Sequence, residues 1–166
     1  MFDIYTIKDL HKKLFSKTPF PEYAGDFRKS FARLNGTTTE ICDWTMIRPN
    51  LEILDEEVQR LRKVSKLIRS ACDTNALIQY LGDCVVLGCK IIKVHPFVDG
   101  NGRTSRLLMN LDLMNSGYNP VIIKKESRLK YYEALDKAHT TGNYTDFVKL
   151  VTELEVEMLK KYLELL

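Results

Sequence analysis

The segment His95-Pro96-Phe97-Val98-Asp99-Gly100-Asn101-Gly102-Arg103-Thr104-Ser105-Arg106 gathers side chains that can act on a phosphate. Pro96 disfavours helix at His95, so a helix arriving there must end. Gly100, Asn101 and Gly102 tolerate unusual backbone angles, and a helical pattern begins at Asn101. A glycine loop feeding a helix aims unpaired N–H groups at one point, where the helix dipole is positive. Successive N–H groups in such a turn form a nest for phosphate. Arg103 and Arg106 stand three apart on neighbouring positions of one helix face, and guanidinium groups match phosphate oxygens. Asp99 would be repelled by a phosphate there unless a cation lay between them. Mg²⁺, held by one carboxylate and phosphate oxygens, meets that need. His95 is the side chain here whose ordinary pKa lies near neutrality, so it can take a proton from an attacking hydroxyl.

Each feature has an ordinary explanation on its own: a structural histidine at a helix end, a plain glycine turn, two arginines on a solvated face. It is their conjunction that points to chemistry. The common nucleotide loops, G-x-x-x-x-G-K-[ST] and a G-x-G-x-x-G after a strand, are absent from the sequence.

The elements that must position this segment read as mostly helical. Thr6 can cap a short helix over 6–16, with Leu10, Leu14 and Phe15 on one side, and Thr18-Pro19-Phe20-Pro21 breaks it. Asn35-Gly36 lies between Phe31–Leu34 and Ile41–Thr45, which predicts a β-hairpin over about 31–47. Asn50 is the expected cap of a helix reaching about Ala71, with Leu51, Leu54, Val58, Leu61, Val64, Ile68 and Cys72 at helical spacing. A helix restarts at Asp73-Thr74-Asn75 and runs to about Val94. It is apolar on most sides and is the expected central element. Further helices are predicted over 101–115, 127–140 and from Thr145 to the C-terminus, the last striped by Phe147, Val151, Leu154, Met158, Tyr162 and Leu165.

Composition agrees with a single helical domain spanning 1–166. The chain has 166 residues, 45% hydrophobic and 28% charged, with 8 Gly and 5 Pro. At that length about 70% of the unfolded surface is buried, without staples. Disordered, collagen-like and membrane-bundle classes are excluded. A net charge of +3 is too small to argue for nucleic acid, and the Lys124-Lys125, Arg128 and Lys130 patch has little aromatic interleaving. Cys42, Cys72, Cys84 and Cys89 form no C-x-x-C pair and read as reduced core residues, which favours a cytoplasmic setting. No apolar run approaches a membrane span, and Asp3, Lys8 and Asp9 argue against a signal peptide.

The His95–Arg106 segment matches every specified position of H-P-F-x-[DE]-G-N-G-R-x-x-R, and the chain therefore resembles the Fic family. Tyr23-Ala24-Gly25-Asp26-Phe27-Arg28 is similar to the Y-x-G-x-[FY]-R that leads into that family's hairpin flap. Gly117-Tyr118-Asn119-Pro120, Tyr131–Leu135 and Gly142-Asn143-Tyr144 are similar to its later stretches, so the resemblance covers about 22–151. It implies an all-α, compact Fic-type helical bundle with one short β-hairpin. The implied activity is protein adenylyltransfer: AMP moves from ATP–Mg²⁺ to a Tyr, Thr or Ser hydroxyl, and pyrophosphate departs. By motif position His95 would be the general base and Asp99 the Mg²⁺ ligand. Gly100, Asn101 and Gly102 would cradle the phosphates, Arg103 would support the pyrophosphate side, and Arg106 would grip the γ-phosphate. Transfer of another nucleotide or of phosphocholine, and a non-catalytic nucleotide-binding module, are the alternatives. Gly102 stands where the family's kinase branch has Lys, which favours nucleotidyl transfer.

The resemblance also implies partners. A target protein would dock on the hairpin at 31–47 as an added strand. Many relatives carry an inhibitory [ST]-x-x-x-E-[GN] helix, and neither end of this sequence matches it: Val156 stands four places after Thr152, and Gly36 four before Glu40. The expectation is that an antitoxin or regulatory partner supplies it, or that restraint takes another route. Leu163, Leu165 and Leu166 are hard to bury at a chain end and leave a partner contact or a homo-oligomer open. Toxin, translocated effector and housekeeping roles are equally compatible with these residues.

Overall fold

In the computed structural model, residues 4–34, 36–71 and 74–165 are described. Asn35, Cys72 and Asp73, and the side chain of Ile68, lie outside the described residues. Among the described residues six α-helices follow in order: α1 (Ile4–Phe15), α2 (Ile47–Ala71), α3 (Thr74–Val94), α4 (Asn101–Asn115), α5 (Arg128–Thr141) and α6 (Thr145–Leu163). Helix α3 packs against α2, α4, α5 and α6, as its all-round apolar sequence requires. Tyr80, Leu81, Cys84, Val85, Leu87, Cys89, Ile91 and Val94 are all buried along it. Helix α1 packs on α4 and α2, which brings the N-terminal helix beside the helix that opens the motif.

Two boundaries differ from the sequence reading for clear reasons. Helix α2 begins at Ile47, before Pro49 rather than after it. Proline in a first helical turn lacks only an N–H that has no intrahelical partner. Asp43 caps the preceding 3₁₀ turn by accepting from the Thr45 N–H at 2.8 Å, while Asn50 donates to the Met46 carbonyl at 2.8 Å. In α1 the buried stripe is Ile7, His11 and Phe15, with Leu10 and Leu14 at its edges. A histidine therefore sits at the centre of a core face.

The predicted β-hairpin over 31–47 is not formed. Among the described residues there is no strand, and 29–34 and 36–43 form an irregular strap. Gly36 does turn the chain, with φ of +78°. Side chains bond some of the strap's polar groups instead. The carbonyls of Ser30 and Cys42 accept from the Arg28 guanidinium. The Thr39 N–H donates to Thr37 Oγ1 at 2.9 Å, and both threonine hydroxyls donate to Asp136 on α5. The second arm ends where Trp44–Met46 winds into a 3₁₀ turn.

Helix α6 buries Phe147, Val151, Leu154 and Glu155, and its stripe then leaves the core: Leu159, Tyr162, Leu163 and Leu165 are exposed. Among the described residues no helix is long and apolar enough to cross a membrane.

Candidate functional site

His95 follows the last turn of α3 with φ of +50° and is the one described non-glycine residue with positive φ. That conformation costs an L-residue about 1–2 kcal/mol and needs support from its surroundings. Arg28 supplies it. Its Nε donates to the His95 carbonyl at 2.8 Å, and its backbone N–H to the Pro96 carbonyl at 2.9 Å. The same side chain is 3% exposed and spends its other nitrogens on Ser30 and Cys42, so one guanidinium ties the histidine to both feet of the strap. Burial, and next the Arg28 charge, hold the His95 pKa below its ordinary value, against smaller opposing pulls from the Ile92 carbonyl and Asp99. The imidazole is thus neutral near pH 7, the form that accepts a proton.

The loop after His95 is braced from inside. Asn101 brackets Phe97: its Oδ1 accepts from the Phe97 N–H and its Nδ2 donates to the Phe97 carbonyl, both at 2.8 Å. Its side chain is therefore spent on the loop, and any contact it makes with a phosphate falls to its backbone. Phe97 is fully buried and stacks on His11 with ring centres 3.7 Å apart. His11 Nδ1 accepts from the Gly25 N–H at 2.9 Å, which places its proton on Nε2, and Nε2 donates to the Asp99 carbonyl at 3.0 Å. Gly100 caps α4 at φ +77°, and a Cβ there would fall 2.2 Å from the Phe15 ring. Both facts require glycine.

His95, Asp99, Gly100, Gly102, Arg103 and Arg106 line one cavity of about 690 Å³. Helix α5 adds Arg128, Tyr131, Tyr132 and Leu135, and the strap adds Leu34, Gly36, Thr37 and Thr39. A cavity of similar volume, about 710 Å³, borders the other arm of the strap and holds none of the six. Arg103 lies over the Phe15 ring at 4.8 Å and pairs with Asp99 at 3.3 Å. Arg106 lies over the Tyr131 ring at 5.7 Å. Both guanidinium groups are thus oriented by aromatic faces.

Among the described residues no group of three His, Cys, Asp or Glu side chains can hold a metal. Asp99 offers a single carboxylate, three-quarters exposed. That donor set does not make a protein cage, but it fits an Mg²⁺ ion bound mainly by phosphate oxygens and water. Asp99 would hold it, and the ion would neutralise charge on the phosphates.

Sequence reasoning found the motif residues and missed their supports. Arg28 was visible only as the end of a pattern. His11 carried no signal beyond being a polar residue on an apolar face. Asp136 carried none.

Residues 1–113 match the Fic/DOC family. The chain is 51% identical over 74 residues to the protein adenylyltransferases Fic of Drosophila virilis and Drosophila melanogaster, covering 45% of this chain and 15% of each relative. It thus spans about a seventh of the length of these curated relatives. Among solved structures, a fragment of Fic-1 from C. elegans matches 98% of this chain with TM-score 0.74 and 26% identity, covering 43% of that fragment. BepC of Bartonella tribocorum, a translocated effector solved with bound AMPPNP, matches 92% of this chain and 73% of its own, with TM-score 0.73 and 19% identity. The match takes in α1, which the sequence resemblance had left out, and α1 carries two of the side chains that brace the loop. Motif, helical architecture and a match over two-thirds of its length together make the chain a member of the Fic/DOC family.

Proposed function

We propose that this chain acts as a protein adenylyltransferase, moving AMP from ATP–Mg²⁺ to a Tyr, Thr or Ser hydroxyl of a target protein. The observation that carries this reading is the convergence of a neutral imidazole, one carboxylate, a helix N-terminus and two oriented guanidinium groups on one cavity of about 690 Å³. The names of the Drosophila relatives support the same activity.

In this reading His95 takes the proton of the acceptor hydroxyl as its oxygen attacks the α-phosphorus, and the bond to pyrophosphate breaks. The N–H groups of Asn101 and Gly102 at the start of α4 would face the phosphates, and the Gly100 N–H, which donates to Asp99 Oδ1 at 2.5 Å, would join them once that carboxylate turns to the ion. Arg103 bears on the departing pyrophosphate, and Arg106 on the γ-phosphate. Positioning and charge stabilisation carry most of such a transfer. The acceptor segment docks along 31–47, where Phe31 is exposed at 83%. An inhibitory helix supplied by an antitoxin or regulatory partner would act on the Arg106 side, with restraint by another route as the alternative. The buried, reduced Cys84 and Cys89 support a cytoplasmic setting. The exposed end of α6 is where a second copy or another partner would bind.

Intact-mass analysis after incubation with a lysate, Mg²⁺ and one donor at a time tests the reading. Target proteins heavier by one AMP unit with ATP support it. A gain only with CTP, GTP or UTP, or of phosphocholine from CDP-choline, replaces it with the corresponding transfer. No gain with any donor, alongside saturable ATP binding, leaves a binding module.

A further inference from the structure

The strap is tied down at two places. Its feet are held by Arg28, through the Ser30 and Cys42 carbonyls. Its tip is held by one carboxylate: the hydroxyls of Thr37 and Thr39 both donate to Asp136 Oδ1, the latter at 2.9 Å. The Thr39 N–H donates to Thr37 Oγ1, so the first hydroxyl is fixed before it reaches Asp136. These bonds hold the Asp136 carboxyl below the usual carboxylate range, which keeps it an acceptor at neutral pH. Thr39 is buried although it belongs to an irregular segment.

The latch spans the catalytic cavity. Thr37 and Thr39 line that cavity from the strap, and Tyr131, Leu135 and Asp136 line it from α5, with His95 in the same wall set. The strap lacks a β-ladder of its own, so the Asp136 bonds set how far its tip stands from α5. We propose that Asp136 is a positioning residue: by latching Thr37 and Thr39 to α5 it fixes the opening through which an acceptor hydroxyl reaches His95. The latch stands on geometry alone, and its role in transfer rests on the reading under Proposed function.

Hydrogen exchange of the full chain, followed by mass spectrometry, reads the latch without any activity. Asp136→Ala should speed exchange of the Thr39 amide, which Thr37 Oγ1 holds, by about tenfold or more, while exchange in α3 and α4 stays at the parental rate. Thr37→Val with Thr39→Val should do the same. The triple variant should add nothing further, because all three side chains share one interaction. Asp136→Asn keeps an acceptor oxygen and should restore most of the protection. Unchanged strap exchange in Asp136→Ala overturns the latch, as does loosening that is additive in the triple variant. In the same preparations, Asp136→Ala should bind ATP–Mg²⁺ as the parent does and label lysate proteins more slowly. Labelling at the parental rate with a loosened strap overturns the positioning role. A parent that labels nothing, with the exchange pattern intact, removes the transferase reading and leaves the latch standing.

Discussion

At the scale of single residues, Gly100 and Glu155 make opposite predictions about stability. Gly100 sits at φ +77° with the Phe15 ring where a Cβ would go. Gly100→Ala should therefore cost at least the 1–2 kcal/mol of a left-handed alanine and displace Phe15 from under Arg103. The expected result is a lower Tm together with weaker ATP binding. An unchanged Tm would contradict the loop geometry. Glu155 is buried; its Oε1 accepts from the Asn119 N–H at 2.7 Å, and Oε2 has no partner among the described residues. Burial raises its pKa above the ordinary value, against a smaller opposing effect of the Asn119 bond. A carboxyl with a raised folded pKa is harmless while protonated, and it subtracts stability as the pH rises through the carboxylate range. Glu155→Gln keeps the bond to Asn119 and removes the charge. Its Tm should equal the parent's at about pH 4 and exceed it at neutral pH. A gap that narrows with rising pH would contradict this account.

At the scale of elements, α1 acts on the motif from the other end of the chain. His11 holds the Asp99 carbonyl, and Phe15 lies under both Gly100 and Arg103. Phe15→Ala should cost about 3–5 kcal/mol as a large buried side chain. Under conditions where the variant is folded, it should still weaken ATP binding, because Arg103 loses the ring that orients it. Calorimetric titration with ATP–Mg²⁺ on material shown to be folded checks this. Parental affinity would make α1 a packing element only.

The elements also explain what the sequence could and could not disclose. The motif is contiguous, so its chemistry is legible in twelve consecutive letters. The start and end of α4 and the path of α3 follow from Gly100, Gly117 and a helical stretch that is apolar on most sides. The strap was misread because the Asn-Gly turn is a local signal. The side chains that bond it instead, Arg28 and Asp136, lie outside 31–47. The start of α2 was displaced because Pro49 suits a first turn as well as a break.

At the scale of the whole molecule, the core is built around α3, and the thiols report on its integrity. Burial raises Cys84 to about 11 and Cys89 to about 12, so neither is a thiolate at neutral pH. Cys42 is only partly buried and its thiol is raised less strongly. Alkylation at neutral pH should reach Cys42 while the protein is folded, and Cys84 and Cys89 only as it unfolds. Peptide mapping along a denaturant series checks the order, and early labelling of Cys89 would contradict the packing of α3 against α5.

The arrangement of the molecule comes down to one statement: α1, α4 and α5 hold His95, Arg103 and Arg106 on one cavity, which we propose receives the phosphates of a nucleotide. The most direct test is transfer to lysate proteins from ATP labelled at the α-phosphate, set beside ATP labelled at the γ-phosphate, with Mg²⁺ and with His95→Ala as control. The account predicts protein-bound label from the α position alone, lost in His95→Ala. Protein-bound label from the γ position alone, or α-label that persists without His95, would contradict it.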